Sequence, residues 1–355
     1  MRLADGRQKV SDRDLYSPKA VLAGGGIGQG DTRGAMLRAI VGLLSPAGFR
    51  SRLTILIFHR VLEQRDELFP NAIHGATFRE RMQWIGSWFN VLPLDEAVAA
   101  LRRGALPARA LAITFDDGYA DNCTVALPIL RQLGLHATVF IATAFLDRSA
   151  MFNDVVIEAV RRTHVQTLDL STIGLGIFTL DSLSARRSAV DAILRNLRYL
   201  PLSLRNERTD AIASIAGVEP PSGLMMTSDQ VRSLAAAGMG VGGHTMRHPI
   251  LSALDEESAQ SEIAGGREAL EGVIRQPVTL FAYPNGRPGT DYTAVHVAMV
   301  QDLGFAAAFS TSGGAARSGD SPFELPRFTP WDHTRARWGW RLARNLTTQP
   351  ERAAP

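Results

Sequence analysis

Short apolar runs alternate with longer helical segments along this chain, and that alternation restricts its fold more than any other feature. Each run is five or six residues long and almost wholly apolar. Runs of this kind are typical of strands that are buried on both faces. The five runs are 53–58, 110–115, 137–142, 278–282 and 305–310.

Helix-like stretches lie between these runs. For one of them the sequence also indicates both ends, because Thr227 is a typical N-terminal cap and Gly238 a typical stop. Buried strands that alternate with helices predict a parallel sheet with helices outside it, either doubly wound or closed as a barrel. The predicted helices are 77–88, 94–103, 123–133, 228–237 and 255–274.

Between about residues 145 and 226 the alternation stops, because helical patterns continue without a predicted buried strand. The best helices in this region are 183–199 and 202–215, which are separated by Pro201. We interpret the region as a helical insertion at one rim of the sheet. Loops on that rim carry the function in either α/β architecture.

The two ends of the chain differ from this central part. Residues 1–34 are predicted to be a disordered leader, 35–333 the folded domain, and 334–355 a basic C-terminal tail. The tail mixes arginines with Trp338 and Trp340. That composition is compatible with peripheral contact with an anionic membrane and also with an ordinary solvated helix or tail.

Composition excludes several classes of protein. Hydrophobic residues make up 45% of the chain and charged residues 21%, as in a globular protein with a sizeable core. The net charge of +3 (38 − 35) is too small for a nucleic-acid footprint, and a single cysteine excludes an internal disulfide. No apolar run reaches about 18 residues, and no secretory signal is visible, so we expect a cytoplasmic location, with a periplasmic or membrane-associated one as the alternative. The sequence does not determine the oligomeric state.

The segment Thr114-Phe115-Asp116-Asp117-Gly118 follows the second apolar run and carries the strongest chemical signal. Two adjacent carboxylates at the end of a buried strand raise one another's pKa. A bound cation would relieve that repulsion, and the glycine allows a sharp turn. A plain polar turn is the alternative interpretation.

A pair of histidines provides the second signal. His244 and His248 are four residues apart, a spacing that places both imidazoles on one face of a helical turn. The pair follows a glycine-rich segment and is expected at a strand end. Two imidazoles and one carboxylate leave coordination positions open for water and substrate, as hydrolytic metal sites require.

The third segment, Phe281-Ala282-Tyr283-Pro284-Asn285-Gly286, ends another apolar run. Tight turns with proline and glycine present backbone N–H groups outward, where one can stabilise an oxyanion.

Together the three segments resemble the polysaccharide deacetylases, also called the NodB-homology family or carbohydrate esterase family four. TFDDG and HTxxH, in that order and each after a strand, match its first two signatures, and FAYPNG resembles a variant of the third. The resemblance spans roughly residues 53–331. It implies an α/β fold, a distorted (β/α) barrel of about seven strands.

The resemblance also implies roles for particular residues. Asp116 would be the general base, and Asp117, His244 and His248 would bind a divalent metal. Zinc suits this ligand set best, with cobalt, manganese or nickel as alternatives. The N–H of Asn285 and the metal would share the developing oxyanion.

The chain departs from the family pattern in the residues that assist the base. Ala282 stands where the family has an arginine that orients the aspartate, and Arg327 is predicted to supply that charge from a neighbouring strand end. The late Leu-x-His motif that carries the general acid is not visible. His59, directly after the first apolar run, is predicted to replace it.

These residues predict a metal-dependent carbohydrate deacetylase that removes acetyl groups from N-acetylated sugars of a polysaccharide or glycan precursor. A catalytically silent carbohydrate-binding barrel and an O-acetyl esterase are the alternatives. The predicted partner is therefore a carbohydrate, not a nucleic acid.

Overall fold

The structure, a computed structural model, describes residues 32–147, 150–329 and 332–354. The predicted leader lies outside the described residues except for 32–34, which belong to the first helix and not to a disordered segment. The helices are α1 (Thr32–Leu44), α2 (Gly75–Trp88), α3 (Leu94–Arg102), α4 (Leu127–Gln132), α5 (Phe152–Arg162), α6 (Leu183–Leu197), α7 (Leu202–Ala216), α8 (Ser228–Ala236), α9 (Glu256–Ile274), α10 (Ala294–Asp302) and α11 (Arg335–Asn345). The strands are β1 (Arg52–Phe58), β2 (Asn90–Val91), β3 (Ala110–Phe115), β4 (Thr138–Ile141), β5 (Thr167–Asp169), β6 (Ile177–Thr179), β7 (Gly240–Gly243), β8 (Leu280–Ala282), β9 (Ala307–Phe309) and β10 (Ala316–Arg317).

The central sheet has the strand order β10–β1–β3–β4–β7–β8–β9, and β2 lies beside β3. Apart from β10, which is antiparallel to β1, these strands pair in parallel. Each of the five apolar runs predicted as strands contains a strand of this sheet. Their carboxyl ends therefore meet at one edge, which carries the candidate site.

The segment 324–328 joins the two ends of this parallel sheet. Leu325 pairs with Phe309 on one side, and Phe328 pairs with Leu56 on the other, both in parallel. Phe328 N–H donates to the carbonyl of Ile55 at 2.8 Å, and the carbonyl of Phe328 accepts from Ile57 N–H at 3.0 Å. The sheet thus closes into a distorted barrel, as the family resemblance implied, and is not doubly wound.

Side chains of the barrel strands alternate between two apolar cores, which explains why the runs are apolar throughout. The side chains on one face of the strands pack against each other in the first core. There the ring centroids of Phe140 and Phe309 lie 5.4 Å apart. The side chains on the other face pack against the surrounding helices. The first group includes Leu53, Ile55, Ala110, Ala112, Leu280 and Ala307. The second group includes Leu56, Phe58, Leu111, Ile113, Val139 and Phe281.

The insertion between β4 and β7 packs largely around a core of its own. Val156, Val190, Ile193 and Ile212 from three helices meet there, together with Leu68 from the loop that follows β1. The two helices separated by Pro201 are α6 and α7, close to their predicted bounds. The sequence did not predict the antiparallel hairpin β5–β6, because its three-residue strands are largely exposed and carry no apolar run.

The prediction of a C-terminal tail is wrong for Arg335–Asn345, which forms α11. Trp338 and Leu342 of this helix are fully buried, and the Trp338 ring lies 6.4 Å from that of Trp88. The arginines in this stretch obscured an apolar stripe at a spacing of four residues.

No helix within the described ranges is long and apolar enough to cross a lipid bilayer. The cytoplasmic location stays a prediction.

Candidate active site

The two carboxylates of TFDDG lie at the carboxyl end of β3, where the chain turns sharply. Asp117 and Gly118 both have positive φ, 74° and 89°. A side chain at 118 would bring its Cβ within 2.9 Å of Ile141 Cγ2, so glycine is required there for both conformation and space. Asp117 is a non-glycine residue held in the left-handed region, a kind of strain that is common at functional sites.

Arg327 binds Asp116 as the sequence predicted. Its Nη1 and Nη2 donate to the two carboxylate oxygens at 2.6 and 2.8 Å, and both side chains are buried. Its Nε donates to the carbonyl of Ser310 at 3.2 Å, which fixes the plane of the guanidinium. Burial alone would raise the pKa of Asp116, but the adjacent Arg327 lowers it to about 2. Asp116 is therefore an ionised carboxylate held in one orientation.

His244 and His248 come together, but not on a helical turn as predicted. The HTMRH segment is an irregular loop after β7, with positive φ at Thr245 (64°) and His248 (53°). The Thr245 hydroxyl accepts from His248 N–H at 3.1 Å and helps to close this turn. The two imidazole rings end 4.8 Å apart between centroids. The two imidazoles thus lie together as predicted, although the backbone between them forms a loop and not a helical turn.

The loop is anchored by two residues of α9 that sequence reasoning missed. The buried carboxylate of Glu262 accepts from the N–H groups of Met246 and Arg247 at 3.0 and 2.8 Å. Gly266 lets the loop approach α9 closely, because a Cβ there would lie 2.7 Å from the carbonyl oxygen of Thr245. No local pattern marks these two residues, since they act on a segment about 16 residues away.

Asp117, His244 and His248 form a compact set of three ligands. One ligand atom from each lies within 4.8 Å of the others. The Nε2 atoms of His244 and His248 are 3.6 and 3.4 Å from Asp117 Oδ1. His244 Nδ1 lies 2.7 Å from the carbonyl oxygen of Ala282, a contact in which Nδ1–H donates and Nε2 remains free for a metal.

The electrostatics of this set fit a divalent cation. Burial, together with the adjacent Asp116, raises the pKa of Asp117 to about 8. Burial lowers the pKa of His244 to about 4 and takes that of His248 well below its usual value. Neutral imidazoles are the form that binds metals, and a bound cation would stabilise the ionised form of Asp117.

His59 lies at the carboxyl end of β1, near the carboxylate of Asp116. Burial shifts the pKa of His59 below its usual value. The nearby Asp116 opposes this shift, and Arg327 adds to it. Asn122 Nδ2 donates to the carbonyl of His59 at 2.8 Å and fixes its backbone. The structure therefore brings His59 to the site that the sequence predicted for it.

Asn285 follows β8 with φ at 58°, again in the left-handed region. Its carbonyl accepts from the Thr311 hydroxyl at 2.7 Å. Within the described parts of the chain, no group accepts a hydrogen bond from Asn285 N–H. This N–H is therefore available to a ligand at the rim that carries the other site residues.

A second buried polar cluster links the insertion to the site, and sequence reasoning missed it. The Tyr119 hydroxyl, just after TFDDG, lies 3.2 Å from both carboxylate oxygens of Asp154 on α5. The Arg60 guanidinium covers the Tyr119 ring at 4.9 Å. Burial raises the pKa of Asp154 to about 7, with Arg60 opposing the rise and Asp117 adding to it. Only a three-dimensional structure brings together groups from the segment after β1, the segment after β3 and the insertion.

The fold and the site define a class of hydrolase, in which a metal-ligand set lies beside an ionised carboxylate at the carboxyl edge of a barrel. The sequence model of the polysaccharide deacetylases matches residues 103–308, more than half of the chain. The chain belongs to the polysaccharide deacetylase family and is a hydrolytic deacetylase of glycans.

Individual relatives agree with this assignment. The YxkH protein of Bacillus subtilis (strain 168), whose name places it among polysaccharide deacetylases, is 20% identical over 279 residues, 78% of this chain and 71% of the relative. The IcaB structure from Ammonifex degensii has a TM-score of 0.55 and 18% identity, and the match covers 86% of this chain and 99% of that one. The Streptococcus pyogenes deacetylase PplD, in complex with acetate, has a TM-score of 0.52 and 19% identity over 78% of this chain and 92% of that one. At these identities the structures support the fold alone.

Proposed function

We propose that this protein removes acetyl groups from N-acetylated sugars of a polysaccharide or glycan precursor in a reaction that depends on a divalent metal. One observation carries the proposal: the ligand atoms of Asp117, His244 and His248 lie within 4.8 Å of one another, next to the ionised Asp116. An amide is hydrolysed when a water becomes nucleophilic, the carbonyl is polarised and the leaving amine receives a proton. The site has a residue for each of these tasks.

Asp117, His244 and His248 would hold the metal. Two imidazole nitrogens and a carboxylate suit zinc and leave positions open for other ligands. The chemistry that a divalent cation would supply at these three residues is activation of water and polarisation of the acetyl carbonyl. The Ala282 carbonyl would keep His244 in the tautomer that presents Nε2.

Asp116 would take the proton of the attacking water. Arg327 uses one donor for each carboxylate oxygen, and each oxygen keeps a further lone pair that can accept. The arginine therefore fixes the direction of the base without occupying it. A positioned general base contributes about 10²–10⁴-fold to turnover.

His59 and Asn285 would complete the reaction. His59 would donate a proton to the leaving amine; burial lowers its pKa, and the neighbouring Asp116 opposes that lowering. Asn285 N–H would donate to the oxyanion that develops on the acetyl oxygen.

Acetate release from N-acetylated oligosaccharides tests the proposal. Release should stop after chelation and return when zinc is restored. An O-acetylated substrate of the same sugar, assayed beside it, distinguishes the esterase from the amidase. Sugar binding without acetate release from either substrate, at full metal occupancy, would contradict the proposal and leave a carbohydrate-binding barrel.

A further inference from the structure

Large apolar side chains are exposed on α1, on the loop after it and on α11. Met36 and Leu43 on α1 are 62% and 83% exposed, Phe49 in the loop is 73% exposed, and Trp340 on α11 is 64% exposed. We call these four residues the amino-end patch. Most other large apolar side chains of α1 and α11 are buried or partly buried in the core, so the exposure of these four is not explained by the fold.

The elements that carry the patch are neighbours. Leu37 of α1 lies against Gly339 of α11, where an added Cβ would meet its side chain. At the other end of the helix pair, Arg52 Nη1 donates to the carbonyl of Leu346, just after α11. The two helices therefore pack against each other, and the loop that carries Phe49 lies between the end of α1 and the start of β1.

The segments that carry the patch contain several arginines and no acidic residue. The sequence contains no aspartate or glutamate from Thr32 to Leu62 or from His333 to Pro350. The outer faces of α1, its loop and α11 instead carry exposed arginines. These are Arg38, Arg50, Arg337 and Arg344.

The patch lies at the end of the barrel opposite the catalytic site. Phe49 packs on Gly104, and the neighbouring Arg109 N–H donates to the Ser45 carbonyl at the end of α1. Arg109 directly precedes β3, and Asp116 directly follows it. A surface bound to the patch would therefore leave the mouth of the barrel free.

We propose that the amino-end patch binds the surface of an anionic lipid bilayer. Exposed tryptophan, phenylalanine and leucine side chains enter the boundary between headgroups and acyl chains, and arginines beside them bind lipid phosphates. Exposed apolar side chains beside the exposed Arg38, Arg50, Arg337 and Arg344 complement an anionic lipid surface. The deacetylase would then be held at the bilayer with its site directed away from it, toward a glycan in solution or a lipid-linked glycan that reaches past the barrel.

Flotation of the full chain with vesicles tests this proposal. The protein should bind vesicles of mixed phosphatidylcholine and phosphatidylglycerol and not those of phosphatidylcholine alone. The Leu43→Ser/Trp340→Ser variant should bind at least about tenfold more weakly, because two apolar anchors are lost. The affinity of the Arg337→Gln/Arg344→Gln variant for these vesicles should fall about twenty-five-fold, since each arginine near an anionic surface contributes about fivefold. Salt should weaken wild-type binding by screening.

Matched controls separate the patch from general surface chemistry. Ile177→Ser removes a side chain that is 63% exposed on the insertion, and Arg232→Gln removes an exposed arginine on α8. Both controls should bind vesicles like the wild type, and all variants should deacetylate a soluble oligosaccharide at the wild-type rate. Equal binding to both kinds of vesicle, or undiminished binding by both patch variants, would overturn the proposal. A dimer that dissociates in the patch variants, with no vesicle binding, would also overturn it and assign the surface to a second copy.

Discussion

The site has two halves built around adjacent carboxylates. On the base half, Asp116 is paired with Arg327, and its pKa falls to about 2. On the metal half, Asp117 faces two imidazoles that burial keeps neutral, and its pKa rises to about 8. The two residues share the same strand end and similar burial. They differ in their neighbours: the protein places the positive charge of Arg327 on Asp116, whereas Asp117 faces two neutral imidazoles.

This difference identifies the task of each half. A carboxylate with a fixed internal counter-ion is ready to accept a proton in one direction. A carboxylate without one, grouped with neutral nitrogen ligands, has the charge and geometry to receive a cation from solution. Removing one half should therefore affect metal content and turnover differently from removing the other.

Loss of the metal half should have the largest effect. Asp117→Asn and His244→Ala should each reduce acetate release by at least about a thousandfold, because several kcal/mol of transition-state stabilisation depend on the metal. Elemental analysis should show loss of bound metal in both variants. Asp229→Asn, a change on an exposed face of α8, is the matched control and should keep both metal and activity. Full activity without metal would refute the division into halves.

Loss of the base should separate turnover from metal binding. Asp116→Asn keeps the size of the side chain and removes its charge, so kcat should fall about 10²–10⁴-fold. Metal content should stay at the wild-type level. If the same variant lost its metal, Asp116 would belong to the ligand set and the comparison would be wrong.

Loss of Arg327 should appear mainly in stability. Arg327→Met leaves Asp116 buried without its partner, which should lower the free energy of unfolding by about 3–5 kcal/mol. Urea denaturation at neutral pH measures this change. The double variant Arg327→Met/Asp116→Asn should recover much of the loss, because no unpaired charge remains. An unchanged stability in the single variant would contradict the burial of this pair.

The smallest effect should be a pH dependence confined to the metal-free protein. In the folded state Asp117 has its pKa raised from 3.8 to about 8, so the folded protein binds more protons than the unfolded chain between these values. Stability should therefore fall as pH rises from about 7 to 8, by at most about 1.4 kcal/mol per unit. His244, with its pKa lowered to about 4, acts in the opposite direction only below about 6.5.

Urea denaturation of chelated protein at pH 7 and 8 measures this slope. Asp117→Asn should show a smaller slope, and added zinc should stabilise the wild type more at pH 8 than at pH 7. A metal-free wild type whose stability rises over this interval would contradict the raised pKa of Asp117.

The sequence allowed much of the site to be predicted because its signals are local. TFDDG and FAYPNG lie at the ends of apolar runs, and HTMRH follows a glycine-rich segment. Parallel strands bring the carboxyl ends of all three to one edge. Arg327 was inferred as a replacement because the family resemblance implies an arginine at the position that Ala282 occupies in this chain. The segment around it closes the barrel and places its guanidinium on Asp116.

Other features depend on contacts between distant parts of the chain. Glu262 and Gly266 of α9 shape the histidine loop, and the Tyr119–Asp154 contact joins the turn after β3 to the insertion. No spacing in the sequence marks such pairs. The packing of α11 was missed for another reason, since four arginines concealed the stripe that buries Trp338.

The central claim is that one divalent cation is held by Asp117, His244 and His248. Anomalous diffraction at the zinc edge, from crystals of protein loaded with zinc, tests it most directly. We predict a single strong peak about 2.0–2.2 Å from one oxygen of Asp117 and from the Nε2 atoms of both histidines. A peak that lacks any of these three ligands, or no peak at this edge of the barrel, would contradict the claim.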